Sequence, residues 1–213
     1  MSRSRKTSVR GYRITRYIQA LAWPAVVLII ALVLFRDRMA SEEVPLDARS
    51  IKISFYLQQA AERGGPDGKS PPIPPDITAI VRTAQRASSM SLAGAIVVWV
   101  DDNSDNTSNE REALAQLGLQ FVLATSTSEA IEQIKNKRFN AAITSLKVGN
   151  DPEGGYKLLT EVKKIAPALP VIIYAAGVPW EHDAEAKRRG AFDETNSPVR
   201  LFDLIVSIIK GRK

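Results

Sequence analysis

The sequence predicts an α/β protein in which a doubly wound, five-stranded parallel sheet fills residues 95–213. Three observations predict it. Short, largely apolar runs recur four times, as a parallel sheet buried on both faces requires, and a fifth short run follows them at Ala191 to Glu194. Each run is followed by a polar turn and then by apolar residues at helical spacing. The connections are short, which is the signature of repeated βα units.

The first unit is AIVVWV at 95–100, ending on Asp101-Asp102 and leading to a helix from Asn109 to Leu117. FVLAT (121–125) precedes a helix from Ser128 to Asn136 with a serine N-cap and apolar Ala130, Ile131 and Ile134. AAIT (141–144) precedes the polar GNDPEGG loop and a helix from Tyr156 to Ile165 carrying Leu158, Leu159 and Val162 on one face. PVIIYA (170–175) leads to a helix around Glu181 to Arg189, and Ala191 to Glu194 supplies the fifth strand before a last helix from Val199 to Ile209. Such a sheet is flavodoxin-like, and ligands on it bind beyond the strand C-terminal ends. Chemistry is therefore expected after Val100, Thr144, Ala175 and Glu194.

The first 94 residues read differently. Residues 1–16 form a basic tail with Arg3, Arg5, Lys6, Arg10, Arg13 and Arg16 and no acidic residue. Tyr17 to Phe35 carries no charge and is long enough to cross ~30 Å of hydrocarbon as a single transmembrane helix. Arg16 and Arg36 mark its water boundaries, and Tyr17 and Trp23 suit an interface. A cleaved signal peptide is the competing reading, against which the run is long and no A-x-A site follows. Residues 36–94 read as a juxtamembrane stalk, a Pro/Gly linker (GGPDGKSPPIPP, 64–75) and a short helix from Ile77 to Ala87 capped by Asp76. Within the stalk, IKISFYL at 51–57 alternates like a strand, while Ile51 to Ala61 also suits a helix.

The chain has a net charge of +6, and the six basic residues of the tail account for all of it, leaving the remainder neutral. The folded part therefore shows no basic excess for nucleic acid, and anionic lipid is the natural partner of the tail. Cysteine is absent and His182 is the one histidine, which excludes disulfides, thiolate catalysis, cysteine-ligated zinc and any two-histidine mechanism. His182 itself lies on a polar stretch beside Trp180 and Glu181 and reads as a surface residue.

The strand ends resemble the response-regulator receiver (CheY-like) family over most of residues 95–210. Asp101-Asp102 after VVWV is similar to the family's Mg²⁺-holding pair, and FNAAITSL (139–146) to the strand that carries its phosphoacceptor aspartate. PVIIYAAG (170–177) resembles the strand ending in Thr or Ser, and GAFDETNSPVRLFDLI (190–205) the segment with Lys-Pro before the last helix. In this register the acceptor position is Ser145, the Thr/Ser position is Ala175 and the Lys position is Ser197. The resemblance thus implies a degenerate receiver, or pseudo-receiver, that phosphorelay chemistry on aspartate does not reach. Serine forms a stable ester rather than a labile acyl phosphate, and losing the acceptor carboxylate also removes a metal ligand. Asp101 and Asp102 then read either as a weak residual Mg²⁺ site or as a solvated acidic turn, and no other cofactor is expected.

The expected role is non-enzymatic: a module at the bacterial inner membrane, single-pass, acting through a protein partner or self-association. Positive-inside counting puts the tail in the cytoplasm, whereas the family's intracellular habit puts the soluble domain there, and the second is preferred. In the family the face of the fourth helix, fifth strand and fifth helix often mediates contacts, which nominates Trp180, Lys187, Arg188, Arg189 and Phe202. The alternative is an NAD- or nucleotide-processing enzyme resembling TIR domains, with Glu110, Glu153 or Glu181 over the strand ends. Oligomerisation through the membrane helix finds no G-x-x-x-G to support it.

Overall fold

The computed structural model describes residues 47–63, 76–175 and 185–211. The basic tail, the uncharged run Tyr17 to Phe35, the 64–75 linker, Trp180, Glu181 and His182 lie outside the described residues.

Two helices come first, α1 (Ala48–Glu62) and α2 (Ile77–Ser88), followed by β1 (Ile96–Val100). A 3-10 turn (Ser104–Thr107) runs into α3 (Ser108–Ala115), then β2 (Gln120–Ala124) and α4 (Thr127–Asn136). β3 (Ala141–Thr144), α5 (Gly154–Ile165), β4 (Val171–Tyr174), a helical turn at 185–188, β5 (Asp193–Thr195) and α6 (Pro198–Gly211) complete the order. All strand pairs are parallel and the sheet order is β2-β1-β3-β4-β5. That is the doubly wound arrangement expected from the apolar runs.

Alternation along the strands divides the core into two layers. Val97, Trp99, Ile143, Ile172 and Tyr174 face α3 and α6, where they meet Leu114, Leu201, Phe202 and Ile205. Val98, Val100, Ala142, Val171 and Ile173 face α4 and α5, where they meet Ile134, Leu158, Leu159 and Val162. Burial on both sides explains why the three central strands β1, β3 and β4 show no polar alternation, whereas the edge strands β2 and β5 carry polar residues.

The stretch expected to be a stalk differs from that reading. Residues 51–57 are helical, within α1, because Ile53, Leu57, Ala60 and Ala61 repeat at helical spacing and all are buried. Asp47 caps this helix by accepting the Ser50 N–H at 2.6 Å, and Asp76 caps α2 by accepting the Ala79 N–H at 3.0 Å. The buried faces of α1 and α2 join the layer over α3 and α6, so Ile53, Leu57, Ile80 and Ala84 share a core with Trp99. The pair is antiparallel: Arg49, at the start of α1, donates to the Ser88 and Met90 carbonyls at the end of α2. Leu46–Lys213 accordingly form one compact unit.

A second correction concerns Phe202. Nominated for an interaction surface, it is 1% exposed. Leu201, Phe202, Ile205 and Ile208 recur at i, i+1, i+4 and i+7 of α6 and form the stripe that packs on the sheet.

Candidate functional site: a rewired crevice at the strand ends

β1 ends on Asp101, and the chain then turns sharply into the 3-10 helix. Asp101 is 8% exposed. Its Oδ1 accepts the Asn103 N–H at 2.9 Å and its Oδ2 accepts the Thr107 hydroxyl at 3.2 Å. Thr107 Oγ1 in turn accepts from Arg111 Nη1 at 2.8 Å, and Arg111 Nη2 donates to the Ser104 carbonyl at 2.7 Å. The guanidinium also lies 5.7 Å from the centre of the Trp99 ring. Burial pushes the Asp101 carboxyl above its ordinary value, and the neighbouring Asp102 adds to this. The two hydrogen bonds and Arg111 oppose the shift without cancelling it. Asp102 itself is exposed.

β3 ends beside β1, and the Ser145 N–H donates to the Val100 carbonyl at 3.2 Å. The Ser145 hydroxyl turns into its own loop and donates to the Lys147 carbonyl at 2.9 Å. The start of α5 presses close here: a Cβ on Gly155 would lie 2.3 Å from the Ser145 carbonyl oxygen, so only glycine fits. Ala175 follows β4, buried, its N–H donating to the Thr195 carbonyl at 3.1 Å and its methyl offering no donor. Ser197 precedes Pro198 at the head of α6. Its Oγ accepts the Arg200 N–H at 3.3 Å, which makes it a helix N-cap with proline at the first helical position.

The structure therefore brings Asp101, Ser145, Ala175 and Ser197 to one edge of the sheet, each in a local structural role. A Mg²⁺ ion wants a near-octahedral shell of oxygens, with carboxylates supplying the charge. Asp101 already accepts two hydrogen bonds, Ser145 is neutral and turned away, and no group of three His, Cys, Asp or Glu capable of holding a metal occurs among the described residues. The donor set does not fit a receiver-type Mg²⁺ centre.

Sequence reasoning missed two features. One is the Thr107–Arg111 clamp, whose residues look like ordinary helix-start polar residues. The other is the buried pairing of Glu110 with Tyr174: Glu110 is 2% exposed and its Oε1 accepts the Tyr174 hydroxyl at 2.7 Å. Burial raises the Glu110 carboxyl above its ordinary value, against the pull of the Tyr174 hydrogen bond, Arg63 and Arg111. Burial also drives the Tyr174 phenol well up, and the Glu110 charge does the same. Arg63, just past α1, donates to the Asp105 and Asn106 carbonyls at 2.9 and 2.6 Å, tying the N-terminal helices to the loop after β1.

Of the glutamates considered for a hydrolytic site, Glu110 is thus locked in the core under Tyr174 and Glu153 is exposed at the head of α5. The basic run is also engaged. Lys187 pairs with Asp193 at 3.3 Å, Arg188 and Arg189 both pair with Glu185, and Arg189 stacks 4.3 Å from the Tyr156 ring. Asp193 is held below the ordinary aspartate value: partial burial pulls it up, but Arg200 at 2.6 Å, the Glu194 N–H and Lys187 outweigh that.

The family model described as the response regulator receiver domain matches residues 97–208. The chain belongs to the response regulator receiver family. The transcriptional regulatory protein ZraR of Escherichia coli K12 is 27% identical over 115 residues, 54% of this chain and 26% of ZraR. The DNA-binding transcriptional regulator NtrC of the same strain is 30% identical over 115 residues, 53% of this chain and 24% of NtrC. The chain thus matches only about a quarter of the length of these regulators. The receiver domain of the Francisella response regulator 1452 superposes with a TM-score of 0.51 at 20% identity, covering 56% of this chain and all of that one, which shows the shared fold. α1 and α2 lie outside the matched segment, yet they contribute to the receiver core.

Proposed function

We propose that this receiver domain signals without aspartyl phosphorylation, as a membrane-tethered pseudo-receiver that acts through a protein partner or a second copy of itself. The observation that carries the proposal is the Ser145 hydroxyl, which stands at the acceptor position and donates to the Lys147 carbonyl. A receiver transfers a phosphoryl group to a carboxylate while a metal ion and a lysine offset the developing charge. Here the carboxylate is absent, the lysine position caps a helix, and both oxygens of Asp101 are held by donors of its own chain, the Asn103 N–H and the Thr107 hydroxyl.

The tether in this proposal is the uncharged run Tyr17 to Phe35, spanning the bacterial inner membrane once with the domain in the cytoplasm. Its support is the length of the run and its Arg-flanked ends. Incubating the full chain with acetyl phosphate and Mg²⁺ tests the central claim, with expected incorporation of phosphate at background. A labile, hydroxylamine-sensitive acyl phosphate on Asp101 or Asp102, or an acid-stable phosphoserine at 145, would end it.

A further inference from the structure

The connections between each helix and the next strand gather at the N-terminal edge of the sheet, opposite the crevice. That edge carries Lys135, Lys137 and Arg138 between α4 and β3, Lys163 and Lys164 at the end of α5, and Lys210 at the end of α6. Of these only Lys164 forms an ion pair with a described residue, Glu161 at 2.7 Å. The crevice edge is mixed, with Asp102, Asp105, Glu129, Asp151 and Glu153 standing among Arg63, Arg111, Lys147, Lys157 and Arg200. The basic side chains of the N-terminal edge are therefore a local excess, which chain-wide charge counting conceals.

Basic residues at helix C-termini complement the helix dipoles, which accounts for some of them. It does not account for the apolar side chains left in solvent among them. Phe192 is 49% exposed and Ile165 is 38% exposed. Phe192 lines a groove of about 620 Å³ with Lys163, Pro170, Ile208 and Gly211. The chain also enters the domain at this edge. Arg49 ties the start of α1 to Ser88 and Met90, beside the Leu92 N–H that bonds the Leu117 carbonyl below the sheet. Residues 36–47 separate the uncharged run from α1 and reach about 40 Å even when extended.

We infer that this edge is a lipid-docking surface, on which basic side chains meet anionic headgroups while Phe192 and Ile165 insert at the acyl boundary. The inference rests on the reading of Tyr17 to Phe35 as a membrane span, which would keep the domain within reach of a bilayer. Docking there leaves the crevice edge pointing away from the membrane and open to a protein partner. Mixed basic and aromatic or aliphatic side chains at one surface are what an anionic interface selects.

The chain lacks cysteine, so single probes can be placed cleanly. Phe192→Cys and Ile165→Cys report the docking edge, and Asn150→Cys reports the opposite one. Each full-length variant is labelled with a fluorophore and reconstituted into nanodiscs that contain a headgroup quencher, in phosphatidylcholine with or without phosphatidylserine. The expected result is several-fold stronger quenching at 192 and 165 with phosphatidylserine, relieved by high salt, and none at 150. Neutralising Lys137, Arg138 and Lys163 together to Gln should weaken docking about 100-fold, from ~1 kcal/mol per basic side chain at an anionic surface. Far-UV circular dichroism checks that the variants fold.

Equal quenching in both lipids, or none, overturns the inference. Release of the probes by a short DNA duplex at low micromolar concentration also overturns it, because the edge would then be a nucleic-acid surface. The span is tested separately: if the chain fails to float with pure phosphatidylcholine vesicles, Tyr17 to Phe35 does not anchor it. In that event the same probes on free phosphatidylserine vesicles still decide the docking edge.

Discussion

Truncating Leu57 decides whether α1 is a stalk or part of the receiver core. Leu57 is fully buried in the layer that contains Ile53, Ile80, Trp99 and Leu114. A leucine-to-alanine change at such a site removes the transfer free energy of the lost carbons and leaves a cavity, about 2–5 kcal/mol together. For a unit of this size each kcal/mol moves the melting temperature by roughly 2–4 °C, so Leu57→Ala should lower it by about 6–12 °C for a mid-range cost of about 3 kcal/mol. Phe55→Ala is the matched control, since Phe55 sits two residues away on α1 but is 57% exposed and should cost under about 0.5 kcal/mol. The assay is thermal and urea unfolding of the full chain in mild detergent, followed by tryptophan fluorescence, to which buried Trp99 contributes beside Trp23 and Trp180. The reasoning fails if Leu57→Ala and Phe55→Ala both melt within 1 °C of the parent, because α1 would then contribute nothing to the core that encloses Trp99.

Further expectations concern the crevice and its buried acid. Because the folded-state value of Glu110 lies above its ordinary 4.5, the native state holds the proton more tightly, and stability falls as pH rises from that value through the folded one. Glu110→Gln should therefore lessen the fall in stability above pH 4.5 in urea titrations, while an unchanged slope would assign the dependence elsewhere. Thr107→Val leaves a buried Asp101 oxygen without its hydroxyl donor and should cost about 1–3 kcal/mol in the same titration. Ser145→Asp restores the missing carboxylate. It should introduce a saturable Mg²⁺ response of Trp99 fluorescence at millimolar ion, whereas the parent chain stays flat.

The crevice was partly legible from residues alone. The Asp101-Asp102 pair, Ser145 and Ala175 fall where apolar runs end, and those runs are obligatory in strands buried on both faces, while Ser197 was placed by the Ser-Pro at the head of the last helix. The fate of each side chain was not legible. Whether Ser145 faces the crevice or its own loop depends on where the Lys147 carbonyl lies, and that depends on the close approach of α5 at Gly155. Lys187 likewise reads as part of a free basic run until β5 places Asp193 beside it.

Local pattern determined the elements of this protein, because periodicity, caps and turns act within a few residues and leave their mark on the chain directly. The strands, the Asp76 cap and the final helix were all readable in that way. Tertiary structure alone decided the partners of side chains far apart in sequence. It moved α1 from a stalk into the core, packed α2 beside it, buried Phe202, and paired Glu110 with Tyr174. The reason is that burial and electrostatic pairing depend on distances in space, which the chain acquires only when the sheet closes the intervening loops.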